Sequence, residues 1–356
     1  MAEVAKRAGV SLSTVSRALA GSPLISEKTR RKVEKAAATL DYRIDAAGSS
    51  LRTGLTRTAG VVIPLTHAAD QRFSDPFFLE MIGAIADELS AVGYSMLLSK
   101  VIEDPAAWIK AAVRERRTDG IIVIGQSLHH ASLNELARLD FPLVVWGARR
   151  EDQSYISVGS DNAAGAELAT AHLLSQGCRD ILFLGDPALP EVAARLEGYA
   201  AALKAAGIRR RRRLELAVRF GDDSACRAVA SLLEQRVGFD GIVACSDSFA
   251  MRAMRALSET GRRIPADVAV VGFDDIPFTA FTTPALSTVR QDVALGARSL
   301  VLNLMRAIAG LPTESIVLPT ELVIRGSSRR ENPAAATTVI SSRSLPIPRR
   351  PGARQA

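Results

Sequence analysis

The stretch Glu3-Val-Ala-Lys-Arg-Ala-Gly-Val-Ser-Leu-Ser-Thr-Val-Ser-Arg-Ala-Leu19 decides how this chain begins. Val4, Ala5 and Ala8 stand at i, i+1 and i+4, an apolar stripe along one short helix. Gly9 supplies a residue that can leave a helix with positive φ. Ser11 is a good N-cap for a second helix, whose inner stripe is Val15, Ala18 and Leu19. Two helices joined through Gly-Val-Ser match the helix-turn-helix, whose second helix enters the DNA major groove. The outward positions of that helix, Leu12, Ser13, Thr14, Ser16 and Arg17, are short, hydroxylated or cationic. Such side chains approach phosphates and base edges without blocking the groove. An ordinary surface hairpin would carry the same stripe, so the stretch alone leaves both readings open.

Charge separates them. The chain has 356 residues and a net charge of +7. Residues 1–60 hold 11 basic and 5 acidic side chains, a balance of +6, and residues 329–356 hold six arginines against Glu331. The long middle is therefore mildly acidic. A basic head on an acidic body points to a polyanion partner for the head alone. After a Gly21-Ser-Pro loop, Ser26 caps a predicted third helix over 27–40. Val33, Ala36, Ala37 and Leu40 form its inner face, and Lys28, Arg30, Arg31, Lys32 and Lys35 its outer one. Beside a helix-turn-helix that basic face suits phosphate contact as well as plain solvation.

The rest of the chain changes period. Gly60-Val-Val-Ile-Pro is expected as a buried strand, 77–92 as an amphipathic helix, and 94–99, 120–124 and 143–146 as further strands with helices between them. The pattern then restarts: helices near 163–176, 191–206, 225–234 and 249–260 alternate with strands near 181–184, 216–220, 241–244 and 268–271. Regular βαβ alternation means doubly wound parallel sheets, here as two similar α/β lobes in tandem. Residues 292–310 read as one more helix and 318–324 as a last strand. Residues 45–53 are short and polar, with Leu51 as their single large apolar side chain, and fit either a marginal helix capped by Asp45 or a flexible linker. Residues 329–356 have no hydrophobic period and read as a disordered basic tail. Arg209–Arg213 reads as a solvated loop.

Signs of catalysis are few. Phosphate-binding glycine loops, a nucleophile elbow and H-E-x-x-H are all missing, and His67, His129, His130 and His172 lack metal-ligand spacing. The three cysteines, Cys178, Cys226 and Cys245, are scattered and odd in number, which suits a reducing compartment. No apolar run approaches the ~18 residues that span a membrane, and the opening residues are not a signal sequence. Asp274-Asp275 follows a predicted strand, at the end where ligands bind in open α/β sheets. The pair could be acid/base machinery; without a nucleophile or metal set nearby, acceptance of sugar hydroxyls is the better account. Asp161-Asn162, Arg195, Ser246-Asp247 and Gln291 occupy similar strand-end or helix-start positions. Trp146 and Phe77 could stack on a sugar ring or simply fill the core.

From residue 2 to about 328 this arrangement resembles the lactose-repressor (LacI/GalR) family of bacterial transcription regulators. The resemblance is carried by Val4-Ala-x-x-Ala-Gly-Val-Ser-x-x-Thr-Val-Ser-Arg17, Ser157-Val-x-x-Asp-Asn-x-x-Gly165, Arg195-x-x-Gly-Tyr199, Val271-Gly-Phe-Asp-Asp275 and Thr288-Val-Arg-Gln291. It implies an all-α helix-turn-helix headpiece (1–44), a hinge (45–58), and a two-lobed core like periplasmic binding proteins (59–328). Lobe 1 would comprise about 59–161 and 292–320, and lobe 2 about 162–291 and 321–328. It places Leu12, Ser13 and Arg17 on base edges, Ser11, Thr14 and Ser16 on phosphates, and Leu51 as a minor-groove wedge. The implied effector set is Arg195, Ser246, Asp274 and Gln291, with Gln126 and the Phe73–Phe77 segment, and Trp146 beside them. The implied partners are a near-palindromic double-stranded operator, a carbohydrate effector and a second copy of the chain, in the cytoplasm, with no cofactor, metal, membrane or enzymatic role.

Several departures stand out. The hinge reads Gly48-Ser-Ser-Leu51 where the family usually has Ala-Arg-Ser-Leu, and a glycine costs a helix about 1 kcal/mol against alanine. Met1 falls almost at the first helix, without the usual Thr-Ile ahead of it. Ser246 replaces a frequent Asn, Gly147 stands where some members have an effector-binding Asp, and a sugar-stacking aromatic is replaced near Asp222-Asp223. The segments around Gly125-Gln-Ser, Val145-Trp-Gly147 and Pro190-Glu191 are similar to members sensing glucosides or oligosaccharides. Two other readings compete: a periplasmic-type sugar-binding protein, which would need export, and an α/β enzyme using Asp274 and Asp275.

Overall fold

The computed structural model describes residues 1–19, 22, 24–42, 54–65, 74–101, 104–139, 141–220, 223–330 and 338–341. The expected hinge residues 45–53, with Leu51, and the site candidate Phe73 lie outside the described residues, as does most of the basic tail. The chain divides into two compact units, 1–58 and 59–356.

The first unit is three helices: α1 (Ala2–Ala8), α2 (Leu12–Leu19) and α3 (Glu27–Thr39). Gly9 ends α1 at φ 61°, the left-handed turn expected of it. Ser11 accepts the Thr14 N–H at 3.1 Å, and Ser26 accepts the Thr29 N–H at 3.3 Å. Val4, Ala5, Ala8, Val15, Ala18, Val33, Ala36 and Ala37 form one small core. These side chains are short, so the three helices pack closely in under 40 residues.

The second unit contains two sheets. The first runs in the order β11-β5-β4-β3-β1-β2, built from β1 (Thr58–Pro64), β2 (Ser95–Val101), β3 (Gly120–Ile124), β4 (Leu143–Trp146), β5 (Ile156–Ser160) and β11 (Ile316–Leu318). Its β1–β3, β3–β4, β4–β5 and β5–β11 pairs are parallel. The second runs β13-β12-β10-β9-β8-β6-β7, built from β6 (Ile181–Leu184), β7 (Glu215–Leu216), β8 (Gly241–Ala244), β9 (Ala269–Asp274), β10 (Ser287–Gln291), β12 (Thr320–Ile324) and β13 (Thr338–Ser341). All five residues of β3 are buried, as are all four in each of β4, β6 and β8. Helices cover both faces, which explains why these strands read as continuous apolar runs rather than alternating ones.

The chain passes between sheets three times, after β5, after β10 and after β11. The helix α7 (Asn162–Ser175) packs on the second sheet, whereas α11 (Val293–Ile308) returns to pack on the first, against α4 (Pro76–Ala91).

Two expectations change. The stretch near 216–220 is a strand only at Glu215–Leu216, because the chain leaves the sheet edge at once and carries Phe220 elsewhere. The tail expected to be disordered from 329 is held in place at Arg330 and at Thr338–Ser341. Arg330 donates to the carbonyls of Pro265 and Asp240, and Thr338–Ser341 pairs antiparallel with β12, Glu321 facing Ser341. β12 would otherwise expose an unpaired edge, which supplies a partner the local sequence did not announce. Arg209–Arg213 is an exposed turn whose Arg211 pairs with Asp180 at 2.5 Å and whose Arg210 grips Glu215.

Candidate functional site

Two surfaces carry the candidate residues. On the headpiece, Leu12 is 53% exposed, and Ser13 and Arg17 are exposed beside it. Ser11 and Thr14 are partly engaged in the helix start, their hydroxyls 2.8 Å apart. Ser16 departs from its expected outward position. Its hydroxyl is buried and has no hydrogen-bond partner among the described residues, because residue 16 lies at the margin of the stripe formed by Val15 and Leu19.

The second surface is a cleft between the two sheets, a cavity of about 110 Å³. Phe77, Trp146, Arg195, Ser246, Asp274 and Gln291 all line it. Asp274 sits at the end of β9 with φ 118°, and Asp275 follows at φ 59°, two strained non-glycine residues in succession. The strain splits the pair. Asp275 turns away and is held by Arg290 and Arg325, each at 2.7 Å, which makes it structural. Asp274 faces the cleft, accepts the Gln291 Nε2–H at 2.7 Å and lies 4.0 Å from Arg195 Nη1. Burial pushes the Asp274 carboxyl up to about 7, against the lowering effect of the Arg195 charge. Behind it, Asp247 is fully buried, accepting the Thr288 hydroxyl at 2.5 Å and the Ile276 N–H at 3.0 Å.

The Arg195-x-x-Gly-Tyr199 motif acquires a physical account on α8 (Pro190–Ala205). Arg195 donates Nε–H to Asn162 Oδ1 at 2.7 Å and an Nη1–H to the Cys245 carbonyl, and its guanidinium lies 3.6 Å over the Phe273 ring. Gly198 lets α8 touch α7, since a Cβ there would fall 1.9 Å from the Ala163 carbonyl oxygen. Tyr199 donates its hydroxyl proton to the Ile181 carbonyl at 2.7 Å. Ser246 caps α10 (Asp247–Glu259) by accepting the Phe249 N–H at 3.2 Å.

Gln126 is placed differently from its neighbours in the expected set. Its side chain is fully buried behind Gly147, with Nε2 donating to the Ala148 carbonyl at 2.6 Å and to Tyr155 Oη at 2.8 Å. A Cβ at residue 147 would come within 2.7 Å of Gln126 Cγ and Cδ. The glutamine thus fills the volume that a side chain at 147 would need.

Glu191 and Phe220 line the cleft from outside the effector set drawn from the sequence, and Asp75 lies within its Phe73–Phe77 segment. Asp75 caps α4 by accepting the Phe77 N–H at 3.1 Å; the Asp-Pro dipeptide at the helix start is the signal that points to it. Glu191 lines the cleft from the first turn of α8. Phe220 also lines it, its ring centroid 4.5 Å from that of Phe249. An aromatic wall is therefore present, two residues before the Asp222-Asp223 position where the aromatic is replaced. Among the described residues no group of three potential ligands is placed to hold a metal, and no helix is long and apolar enough to cross a membrane.

Residues 1–45 match the lacI family of bacterial regulatory proteins, and residues 170–328 match the periplasmic binding protein-like domain. The ribose operon repressor of Halalkalibacterium halodurans is 33% identical over 334 residues, 92% of this chain and 96% of that protein. A complex of the transcriptional regulator CelR with cellobiose shares 29% identity and superposes with a TM-score of 0.68 over 91% of this chain and 98% of its own. A lac repressor dimer bound to operator and an anti-inducer superposes with a TM-score of 0.76 at 27% identity, covering 91% of this chain and 97% of its own. Agreement along both units, from the recognition helix to the last strands of the core, makes this chain a member of the LacI family of DNA-binding transcriptional regulators.

Proposed function

We propose that the protein is a homodimeric repressor whose affinity for a near-palindromic operator is set by a sugar or oligosaccharide bound in the cleft. The observation that carries this is the pairing of Asp274 and Gln291 beside Arg195 in a cavity that Phe77, Trp146 and Phe220 also line. Polar hydrogen-bonding groups and aromatic rings around one cavity suit a polyhydroxylated ring. The relatives named for ribose and cellobiose lend support by similarity.

In this reading Asp274 accepts ligand hydroxyls, Gln291 and Ser246 orient it, and the aromatic side chains stack on it. Gln126 supports the floor from behind Gly147. At about 110 Å³ the cleft is smaller than the roughly 300–1,000 Å³ of typical ligand pockets, so entry requires the lobes to part. A ligand shifts operator affinity only through its unequal affinity for the open and closed arrangements. On the DNA side, Leu12, Ser13 and Arg17 read base edges, Ser11, Thr14 and Ser16 hold phosphates from side chain or backbone, and Leu51 wedges a minor-groove step. The solute-binding alternative leaves the basic headpiece without a role, and the enzyme alternative loses Asp275 to its arginine partners. A cytoplasmic location follows from the DNA partner.

The test is a thermal-shift screen of the purified full chain against mono- and oligosaccharides, followed by operator titrations with and without each hit. A hit that raises Tm and changes operator affinity is expected. A sugar that raises Tm while leaving operator affinity untouched would overturn the regulatory coupling.

A further inference from the structure

We infer that the cleft selects its ligand by charge, with Glu191 as the specificity-determining residue: it takes uncharged or cationic glycosides and rejects phosphorylated sugars and sugar acids. The inference rests on the sugar-binding reading of the cleft and narrows it.

Among the described residues, the charged side chains lining the cleft are Asp75, Glu191, Asp274 and Arg195, three acids against one base. Arg195 is already committed to Asn162, to the Cys245 carbonyl and to the face of Phe273. The acids outnumber the one guanidinium that faces them. Glu191, partly buried, comes from the second lobe and crosses to the first, where the Gln126 N–H donates to its Oε1 at 3.5 Å and the Ala148 N–H also stabilises its charge. Asp75 crosses the other way, toward Ser248 and Arg252 on α10, which both favour its charged form. Each lobe therefore sends one carboxyl onto the other. Burial pushes both carboxyls upward, the expected response of acids with too little stabilisation of their charge.

What such a site lacks, a ligand must bring. Sugar hydroxyls and ammonium groups bring donors that stabilise buried carboxylates. A phosphate dianion or a sugar carboxylate brings only acceptors and further negative charge, and like charges at close quarters in a desolvated cleft are strongly disfavoured. Because Glu191 meets the first lobe only when the lobes are together, a ligand that donates to it is held in the closed arrangement. Recognition of charge class and closure then depend on the same side chain.

The test uses the full-length protein, with thermal shift and calorimetric titration against matched probes. These are glucose and cellobiose, glucosamine, glucose 6-phosphate and gluconate, together with hypoxanthine and inosine monophosphate. Neutral or cationic sugars are expected to bind at least about tenfold more tightly than their anionic counterparts. Glu191→Gln should narrow that gap by about tenfold, and Asp75→Asn should move it in the same direction. Glucose 6-phosphate or gluconate binding the unaltered protein as tightly as glucose would overturn the charge rule while leaving the sugar reading intact. Binding of hypoxanthine alone, with the monophosphate rejected, would overturn the sugar reading and keep the charge rule. A folded Glu191→Gln protein with an unchanged gap would overturn the assignment to Glu191, and silence across the whole panel would overturn both readings.

Discussion

Gln291 donates its Nε2–H to Asp274 Oδ1 at 2.7 Å, joining the ends of two adjacent parallel strands, β10 and β9, at the cleft. The bond fixes the glutamine amide and leaves Asp274 with one close neutral donor and one guanidinium 4.0 Å away. For a buried carboxyl that is sparse support, and burial carries its titration from the ordinary 3.8 up to about 7.

A pH signature follows. The folded value lies above the unfolded one, so the native state holds the extra proton between them. Stability from this group is complete below about 4 and is lost as pH rises through about 7. Asp274→Asn should therefore raise the Tm of the ligand-free protein more at pH 8 than at pH 5, as read by calorimetry. Ligand hydroxyls favour the ionised form, so sugar binding at pH 6 should release protons, with affinity levelling off above about pH 7. The Asn variant should bind weakly and with a smaller pH dependence. Proton release by the variant equal to that of the unaltered protein would remove Asp274 from the account.

Gln126 and Gly147 form a coupled pair. Gln126 is anchored through Nε2 at both hydrogens, while its Oε1 is buried without a partner among the described residues. It cannot easily retreat from a methyl group placed 2.7 Å from its Cγ. Gly147→Ala should destabilise the fold by about 1–3 kcal/mol. Adding Gln126→Ala should recover part of that loss, because the second change empties the volume the first requires. A urea double-mutant cycle measures it, and strictly additive effects would mean that the two side chains do not compete.

Much of this is legible in the sequence. The stripes Val4/Ala5/Ala8 and Val15/Ala18 report the headpiece core because three short helices leave few ways to bury them. The strand-end positions of Arg195, Ser246, Asp274 and Gln291 could be read because a doubly wound sheet gathers such positions in one cleft. Ser16 at the edge of its stripe, and β13 on the flank of β12, could not be placed by period alone. The contact made by Glu191 was hidden for a different reason. Glu191 meets Gln126 across 65 residues of chain and across the cleft, a relationship that no local pattern encodes.

Gly198 allows two effects of opposite sign to be weighed. In a free helix, replacing glycine by alanine gains about 1 kcal/mol. Here the added Cβ would lie 1.9 Å from the Ala163 carbonyl oxygen and 2.8 Å from its carbon, both backbone atoms of α7. Backbone cannot swing aside as a side chain can, so the two helices must separate along a shared core that includes Leu168 and Leu203. Overpacking at the upper end of its usual range, about 3 kcal/mol, outweighs the propensity gain. Gly198→Ala should lower stability by about 2 kcal/mol or more in urea unfolding. A stabilised variant would show that the crossing is looser than its geometry.

Arg17 and Leu12 carry the last prediction. Both are exposed on α2, a helix of eight residues, and Leu12 puts an apolar side chain into solvent although the core is within one turn. Neither residue contributes to the headpiece core, so replacing them should leave folding intact. A base-reading arginine loses a bidentate pair when truncated, a cost of about 1–3 kcal/mol confined to the cognate sequence. A phosphate-binding arginine weakens all duplexes alike and flattens the salt dependence of binding by about one charge. Arg17→Ala should therefore weaken operator binding about tenfold or more in anisotropy titrations, with a much smaller change on a scrambled duplex and an unchanged salt slope. Lys32→Ala, on the basic face of α3, should instead weaken both duplexes together. Equal losses for Arg17→Ala on operator and scrambled DNA would move Arg17 from the base edges to the backbone.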